Sequence, residues 1–166
     1  MSSPASTSRP PVPAGQTGLL RWRLFFRALY RLLRAVDPLL RWWWRSGALG
    51  LSRSVDVRVP GRRSGRTRSV LVTLLTVNGV GYIGHPDGPA PWTRNVDAAD
   101  SFELGFADGR RSRVRASRLG PGPEREAVIR ATWTQQPWPG DIIYSLARRH
   151  VRETGVYFRL EDVPEP

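Results

Sequence analysis

The spacing of apolar residues near the amino terminus predicts an amphipathic helix over residues 19–36 and 39–45, broken at Pro38. At 100° per residue, a row of arginines lies close to one line and a row of apolar residues lies opposite. Pro38 separates the two parts because it lacks the backbone N–H that a continuous helix needs. The arginines are Arg23, Arg27, Arg31, Arg34, Arg41 and Arg45, and the apolar residues are Trp22, Phe25, Leu29, Leu32, Leu33, Val36, Leu40 and Trp43.

From residue 54 the period of the apolar residues changes to two, which is typical of strands. Asn78-Gly79 and Asp108-Gly109 are turn sequences of β-hairpins. Strands are predicted over residues 54–59, 67–77, 80–84, 102–106, 110–119 and 156–160, and helical segments over residues 92–99, 124–136 and 141–149. The chain is therefore mainly β with helices (α+β), and we expect a small barrel of about six antiparallel strands preceded by the basic helix.

Three regions follow from these patterns. Residues 1–17 are rich in Ser, Pro, Ala and Gly without apolar periodicity, which predicts a disordered tail without a secretory signal. Residues 18–47 form the basic helix. Residues 48–166 form the barrel domain, and a length of 166 residues agrees with one such domain.

The positive charge is concentrated at one end of the chain. All 26 basic residues are arginine and the net charge is +12. Up to residue 70 the only acids are Asp37 and Asp56, whereas after it arginines and acids are equal in number. A basic front on a neutral body predicts an anionic partner: lipid, nucleic acid or a polyanionic ligand.

The basic helix has two interpretations. Its arginines exclude a membrane-spanning segment, but an Arg-rich face opposite a Trp/Phe/Leu face is typical of a helix lying on a membrane. Trp42, Trp43 and Trp44 exceed what one packing stripe needs, which favours an anionic membrane surface contacted by residues 18–46. We therefore expect a cytoplasmic protein, peripheral on the inner face of the cell membrane. The alternative is a helix packed on its own domain. Nucleic acid is disfavoured because no nucleic-acid-binding motif accompanies the helix.

Composition limits the possible chemistry. The chain has no cysteine, which excludes disulfides, thiolate metal sites and cysteine nucleophiles. The only imidazoles are His85 and His150, so we expect neither a metal centre nor haem ligation. His150, between Arg148, Arg149 and Arg152, is expected at the surface.

A basic turn, residues 60–68, separates the first two predicted strands. It contains Arg62, Arg63, Arg66 and Arg68 and the glycines Gly61 and Gly65. Positive φ at the glycines would point successive backbone N–H groups toward one place, with guanidiniums and the Ser64 hydroxyl around it. Such a turn suits a phosphate or a carboxylate. The alternative is a hairpin turn with solvated arginines.

Two motifs together resemble the deazaflavin-dependent nitroreductase family, a branch of the split β-barrel flavin and deazaflavin oxidoreductases. The motifs are Gly-Arg-Arg-Ser-Gly-Arg-Thr-Arg at residues 61–68 and Pro-Trp-Thr-Arg-Asn-Val at residues 91–96, and the resemblance covers residues 54–160. It implies a split β-barrel that binds the 8-hydroxy-5-deazaflavin coenzyme, factor 420. By the resemblance, the phosphodiester is bound by Arg62, Arg63, Ser64, Gly65 and Arg68, and the deazaflavin lies beside Trp92 and Asn95. Trp92 could alternatively be a core aromatic.

The chain departs from the family at three places. Val70-Leu71 replaces a frequent Pro-Leu pair, and the segment 85–90 is shorter than its counterpart. Where members that act on nitro compounds carry several tyrosines, this chain has only Trp138 and Tyr144. These departures weaken the assignment of a substrate more than the assignment of the coenzyme. His85 and Tyr144 are the candidate catalytic residues, His85 as a hydrogen-bond donor or acid near the ring.

The resemblance implies hydride transfer from the reduced coenzyme to an electron-poor, hydrophobic acceptor such as a quinone, an enone or a nitro compound. Because the cofactor carries this chemistry, no acid–base pair or nucleophilic triad is needed in the sequence. One alternative is a non-catalytic module that binds the deazaflavin or FMN, since the turn alone cannot distinguish two phosphate-bearing flavins. Another is a basic membrane- or nucleic-acid-binding protein. A homodimer is compatible with the family.

Overall fold

The computed structural model describes residues 14–46 and 53–164, without the side chains of residues 14–20 and 34. Its first elements are two helices, α1 (Ala14–Ala35) and α2 (Asp37–Arg45). The break between them is where the sequence predicts it, with Pro38 in the first turn of α2. Helix α1 begins at Ala14, four residues before the predicted helical region, and the rest of the predicted tail lies outside the described residues.

Seven antiparallel strands form one sheet, in the order β2-β1-β5-β6-β7-β4-β3. Their bounds agree with the predicted strands to within two residues, apart from one strand that is divided. The strands are β1 (Ser54–Pro60), β2 (Thr67–Thr73), β3 (Leu75–Val77), β4 (Val80–His85), β5 (Phe102–Gly105), β6 (Arg111–Arg118) and β7 (Val156–Asp162).

The divided strand closes the sheet. β2 and β3 are two parts of the predicted strand 67–77, separated only by Leu74, whose backbone N–H donates to the carbonyl oxygen of Arg53 at 2.8 Å. β2 pairs with β1 and β3 pairs with β4, so the two edges of the sheet are joined by one stretch of chain. The sheet therefore curls into a barrel, and the predicted mainly-β class with an antiparallel barrel is confirmed. The seventh strand arises from the break at Leu74.

Four further helices decorate the barrel: α3 (Pro91–Asp97), α4 (Pro123–Gln135), α5 (Gly140–Leu146) and α6 (Arg148–Thr154). The single helix predicted over residues 141–149 is two helices. Ala147 lies between them and is buried, with its N–H bonded to the carbonyl oxygen of Ile143. Helix α6 buries its own residues Val151 and His150.

Helix α1 packs on the outside of the barrel. One hydrophobic cluster fills the barrel interior, and a second lies between α1, α4, α5, α6 and strands β3, β4 and β7. Phe26 of α1 is fully buried in the second cluster, and Trp22, Leu29 and Tyr30 pack around it. One face of α1 therefore packs on its own domain, while its other faces remain exposed. The packed face is rotated from the predicted apolar face, because Phe25, Leu32 and Leu33 stay exposed.

A buried carboxylate attaches α2 to the barrel. Asp56 on β1 accepts hydrogen bonds from Arg41 of α2 at 2.8 Å, from Arg58 at 2.8 Å and from the Ser69 hydroxyl of β2. Burial by itself raises the pKa of Asp56, but the bonds from Ser69, Arg41 and Arg58 outweigh it and hold the pKa below its ordinary value. The indole N–H of Trp44 also donates to the Ser54 carbonyl oxygen at 2.9 Å.

Asp56→Asn is expected to lower the free energy of unfolding by about 2–3 kcal/mol, because two arginines lose their buried partner. Urea denaturation measures this loss, and Asp108→Asn, at an exposed hairpin position, serves as the matched control. Since the folded-state pKa of Asp56 is depressed, its contribution is complete above the unfolded pKa and is lost as the pH falls from about 4 through the folded pKa. Equal losses of unfolding free energy in the two variants at pH 7 would contradict the stabilising role assigned to Asp56.

Candidate functional site

The basic turn is a compact loop between β1 and β2. Pro60 and Thr67 are the last paired residues of the two strands. Inside the turn the Gly61 N–H donates to the Arg66 carbonyl oxygen at 2.9 Å, and the Gly61 carbonyl oxygen accepts from the amides of Ser64 at 3.1 Å and Gly65 at 2.8 Å. These three bonds give the loop a defined shape without any ligand.

The two glycines have different roles. Gly65 has a φ of 65°, as expected, and its outer side is open. Gly61 is needed for space, since a Cβ there would lie 3.1 Å from the Arg66 carbonyl oxygen and 3.2 Å from the Ser64 hydroxyl. The amides of Ser64 and Gly65 do point toward one place, but that place is the Gly61 carbonyl oxygen, so these two amides are not free to bind an anion. Binding of an anion would depend mainly on the side chains.

The four guanidiniums of the turn have no acidic partner in residues 14–46 and 53–164. No carboxylate of these ranges lies within 4.0 Å of them, although Arg41 and Arg58 close by are both paired. All of the side chains are exposed. Four uncompensated positive charges therefore surround one small loop: those of Arg62, Arg63, Arg66 and Arg68.

Helix α3 brings the second motif beside the turn. The backbone N–H of Arg62 donates to the Asn95 side-chain oxygen at 3.4 Å, across 33 positions of sequence. Trp92, one turn earlier on α3, is half-buried and packs against the barrel core. Its ring also contacts His85, with centroids 6.3 Å apart. The structure thus places the two motifs together, with Trp92 serving partly as a core aromatic.

His85 lies at the end of β4 and is largely enclosed. Its Nδ1 is 3.1 Å from the Gly88 carbonyl oxygen and 3.3 Å from the Asp87 backbone nitrogen. Burial lowers the pKa of His85 to about 4, against smaller opposing effects of Asp87 and Gly88. At neutral pH the imidazole is therefore uncharged, which fits a hydrogen-bonding role and disfavours the imidazolium acid.

Tyr144, the other candidate catalytic residue, is linked to His85 through Tyr30, which the sequence pattern does not indicate as a site residue. Tyr30 of α1 lies with its ring 4.6 Å from that of His85, and its hydroxyl is 3.5 Å from the hydroxyl of Tyr144. Burial raises the pKa of both tyrosines, so both remain protonated at neutral pH. In the sequence, Tyr30 could have been found from its position one turn after Phe26 on the same face of the helix. The predicted apolar face included neither residue.

The expectation that His150 is at the surface is wrong. Its side chain is fully buried, stacked on Phe26, and its Nε2 lies 2.7 Å from a carboxylate oxygen of Asp87. Its arginine neighbours are exposed because α6 turns only one face inward, and that face carries His150 and Val151. In the described chain, no three His, Cys, Asp or Glu side chains are grouped so that they could bind one metal ion.

Two open clefts of the described chain lie elsewhere, and none of the predicted site residues lines them. The larger, of about 590 Å³, runs between the β6–α4 connection and the end of α6. Its Arg125 donates to the carbonyl oxygens of Arg152 and Gly155, so this guanidinium already has partners. The other, of about 540 Å³, lies between β3 and α4.

Comparison with family models and with curated proteins finds no match to this sequence. Solved structures do match it. An F420-H2 dependent reductase (FDR-A) is 19% identical and has a TM-score of 0.51, over 66% of this chain and 94% of that one. The chain has a split β-barrel fold. This is the fold that the two motifs imply, while neither the flavin and deazaflavin superfamily nor the nitroreductase family is shown.

Two further solved structures share the fold, and one of them is a haem storage protein. HutZ, the haem storage protein of Vibrio cholerae, is 14% identical with a TM-score of 0.50, over 78% of this chain and 92% of HutZ. ChuZ of Campylobacter jejuni is 16% identical with a TM-score of 0.52, over 78% of this chain and 53% of ChuZ, so this chain spans about half its length. At such identities the likeness establishes the fold, and the ligand must be argued from the residues.

The imidazole of His85 is expected to titrate at about pH 4 rather than near its ordinary value. With only two histidines in the chain, NMR of the ring protons measures this directly, and His85→Gln identifies the signal. Because the folded pKa is depressed, the stability that neutral His85 contributes is complete above the unfolded pKa and falls as the pH drops toward 4. A midpoint near pH 6.5 would show that the imidazole is solvated.

Proposed function

We propose that the protein binds the 8-hydroxy-5-deazaflavin coenzyme, factor 420, and transfers a hydride from its reduced form to an electron-poor, hydrophobic acceptor. The observation that carries the proposal is the contact between the two motifs. The uncompensated arginine turn meets Asn95 of α3, and α3 leads through Trp92 to His85. A row of positive charge that continues into uncharged, partly aromatic residues suits a ligand with an anionic tail and a flat ring.

The donor set of the turn fits the anionic part of such a coenzyme. Guanidiniums bind phosphate and carboxylate oxygens in pairs of charge-assisted hydrogen bonds, and these arginines have no acidic competitor among the described residues. The open outer side of Gly65 leaves room for a phosphodiester to approach the loop. Arg62, Arg63, Ser64 and Arg68 would hold it.

The residues beyond the turn fit a neutral heterocycle. Asn95 offers an amide, Trp92 an aromatic surface, and His85 an imidazole that is uncharged at neutral pH. Bound factor 420 supplies the hydride chemistry, and the protein orients the ring and keeps water away. Tyr30 of α1 covers His85 on one side and thereby excludes water.

Tyr30 and Tyr144 suit the acceptor side of the site. Both hydroxyls are protonated at neutral pH. One of them donates to the other, and the remaining O–H can donate a hydrogen bond to the carbonyl oxygen of a quinone or an enone. The likeness to the F420-H2 dependent reductase supports a reductase of this kind. FMN remains the alternative cofactor, because the arginine turn would bind its phosphate equally well.

Titration of the full chain with oxidised factor 420, followed by coenzyme fluorescence, tests the proposal, with FMN run in parallel. Arg62→Ala/Arg68→Ala is expected to weaken binding on the order of 100-fold or more, since each lost charge-assisted bond costs about 1.5–3 kcal/mol. Arg113→Ala/Arg115→Ala removes the same charge from β6, which pairs with neither β1 nor β2, and should change the affinity little.

The outcomes separate the alternatives. Tight FMN binding without factor 420 binding would keep the fold and replace the cofactor. Binding of haem alone would associate the chain with the function of HutZ. Failure to bind factor 420, FMN or haem would reject the arginine turn as a phosphate site. An equal loss of coenzyme affinity in the two double arginine variants would show that the turn is not the specific binding site.

Tyr30→Phe and Tyr144→Phe test the acceptor side, with menadione as the probe acceptor. Each variant is expected to lower the turnover of the reduced coenzyme by roughly tenfold or more. The dissociation constant of the coenzyme should stay unchanged, because the two hydroxyls would bind the acceptor. Tyr82→Phe is the matched control, since the Tyr82 hydroxyl donates to Glu124 at 2.8 Å and is not part of the Tyr30–Tyr144 pair. A weaker affinity for the coenzyme in the Tyr30 variant would instead place that residue at the ring.

A further inference from the structure

We infer that helices α1, α2 and α5 form a docking surface for an anionic lipid bilayer. The inference does not depend on the coenzyme. Its first support is the distribution of the most exposed large hydrophobic side chains in the described residues, all of which lie on these helices or on the turn before α5. On α1 and α2 they are Leu24, Phe25, Leu32, Leu33, Leu39 and Trp42.

Most of these side chains belong to one continuous stripe. The exposed residues Phe25, Ala28, Leu32, Ala35, Leu39 and Trp42 follow one another at alternating spacings of three and four positions. The same spacing continues in the sequence across the break between α1 and α2. It is separate from the face that packs on the barrel, which carries Phe26 and Tyr30. A helix that only covers a domain needs one apolar stripe, and α1 has two.

A row of arginines accompanies the exposed stripe. Arg23, Arg27 and Arg31 follow one another at four-residue intervals, are exposed, and have no carboxylate within 4.0 Å in the described parts of the chain. The only acid of α1 and α2 is Asp37, which is bonded to Arg41 at 2.7 Å. Exposed apolar and cationic side chains therefore share this part of the surface.

The charge identifies the occupant. A second copy of the chain would bring arginine rows together without carboxylates to pair with them, and like charges at short distance oppose association. The head groups of an anionic bilayer neutralise the arginines, while the leucines, Phe25 and Trp42 enter the boundary of the acyl chains. No helix among the described residues is long and apolar enough to cross a membrane, so the surface would lie on the bilayer.

A second row of exposed apolar residues extends the surface. Trp138, Ile142 and Leu146 follow one another at four-residue intervals on α5 and the turn before it, and two of them are among the most exposed, at 79% and 71%. Helix α5 is a neighbour of α1, because Tyr144 stacks on Phe26 and contacts Tyr30. A row on an adjacent helix enlarges the apolar area that a bilayer can cover.

Co-sedimentation of the full chain with vesicles tests this inference. Binding is expected to vesicles that contain phosphatidylglycerol, to fall with rising salt, and to be weak with pure phosphatidylcholine. Arg23→Gln/Arg27→Gln/Arg31→Gln should weaken it on the order of 100-fold. Arg113→Gln/Arg115→Gln/Arg130→Gln removes the same charge from exposed positions elsewhere and should weaken it far less.

The apolar part is tested with Leu32→Ser/Trp42→Ser, which changes side chains that are 61% and 64% exposed and should leave the thermal midpoint unchanged. Binding to the anionic vesicles is expected to fall at least tenfold. Equal losses in the two arginine variants, or no binding to anionic vesicles, would overturn the inference. So would a concentration-dependent dimer in sedimentation velocity that Leu32→Ser/Trp42→Ser abolishes, because the stripe would then bind a second copy.

Discussion

A buried carboxylate joins the two layers of this protein. Asp56 lies inside the barrel wall, and it is stable there as an anion only because Arg41, Arg58 and Ser69 all donate to it. Arg41 belongs to α2, so the requirement to neutralise Asp56 fixes the helical layer on the sheet. Helix α1, which precedes α2, is held on the barrel by the buried Phe26, and Tyr30 contacts His85.

Helix α1 consequently has three surfaces with different tasks. Phe26 and Tyr30 complete the outer core and cover the candidate site. The arginines of the next face and the exposed apolar stripe beside it are free for an external partner. If both proposals hold, one helix connects a bilayer with a site for hydrophobic acceptors, and a substrate dissolved in lipid would have a short path to Tyr30 and Tyr144.

The fold by itself does not determine the ligand. A reductase dependent on F420-H2 and a haem storage protein both share the architecture of this chain. The ligand is therefore argued from the content of one loop and one short helix: four arginines without acidic partners among the described residues, beside an asparagine and a tryptophan. The histidines further limit what can bind, since His150 is buried and already paired with Asp87, and His85 is largely enclosed.

The sequence by itself determined most of the elements, apart from the divisions at Leu74 and Ala147, since strand alternation, hairpin turns and helix periodicity are local properties of the backbone and of neighbouring side chains. It also singled out the arginine turn and the Trp92–Asn95 segment, although only tertiary structure brought the amide of Arg62 to Asn95. The direction of the α1 faces, the burial of His150 and the pairing of Tyr30 with His85 and Tyr144 depend on contacts between residues far apart in sequence. Periodicity shows that a helix has an apolar side, but where that side is wide, packing against the rest of the chain decides which part of it is buried.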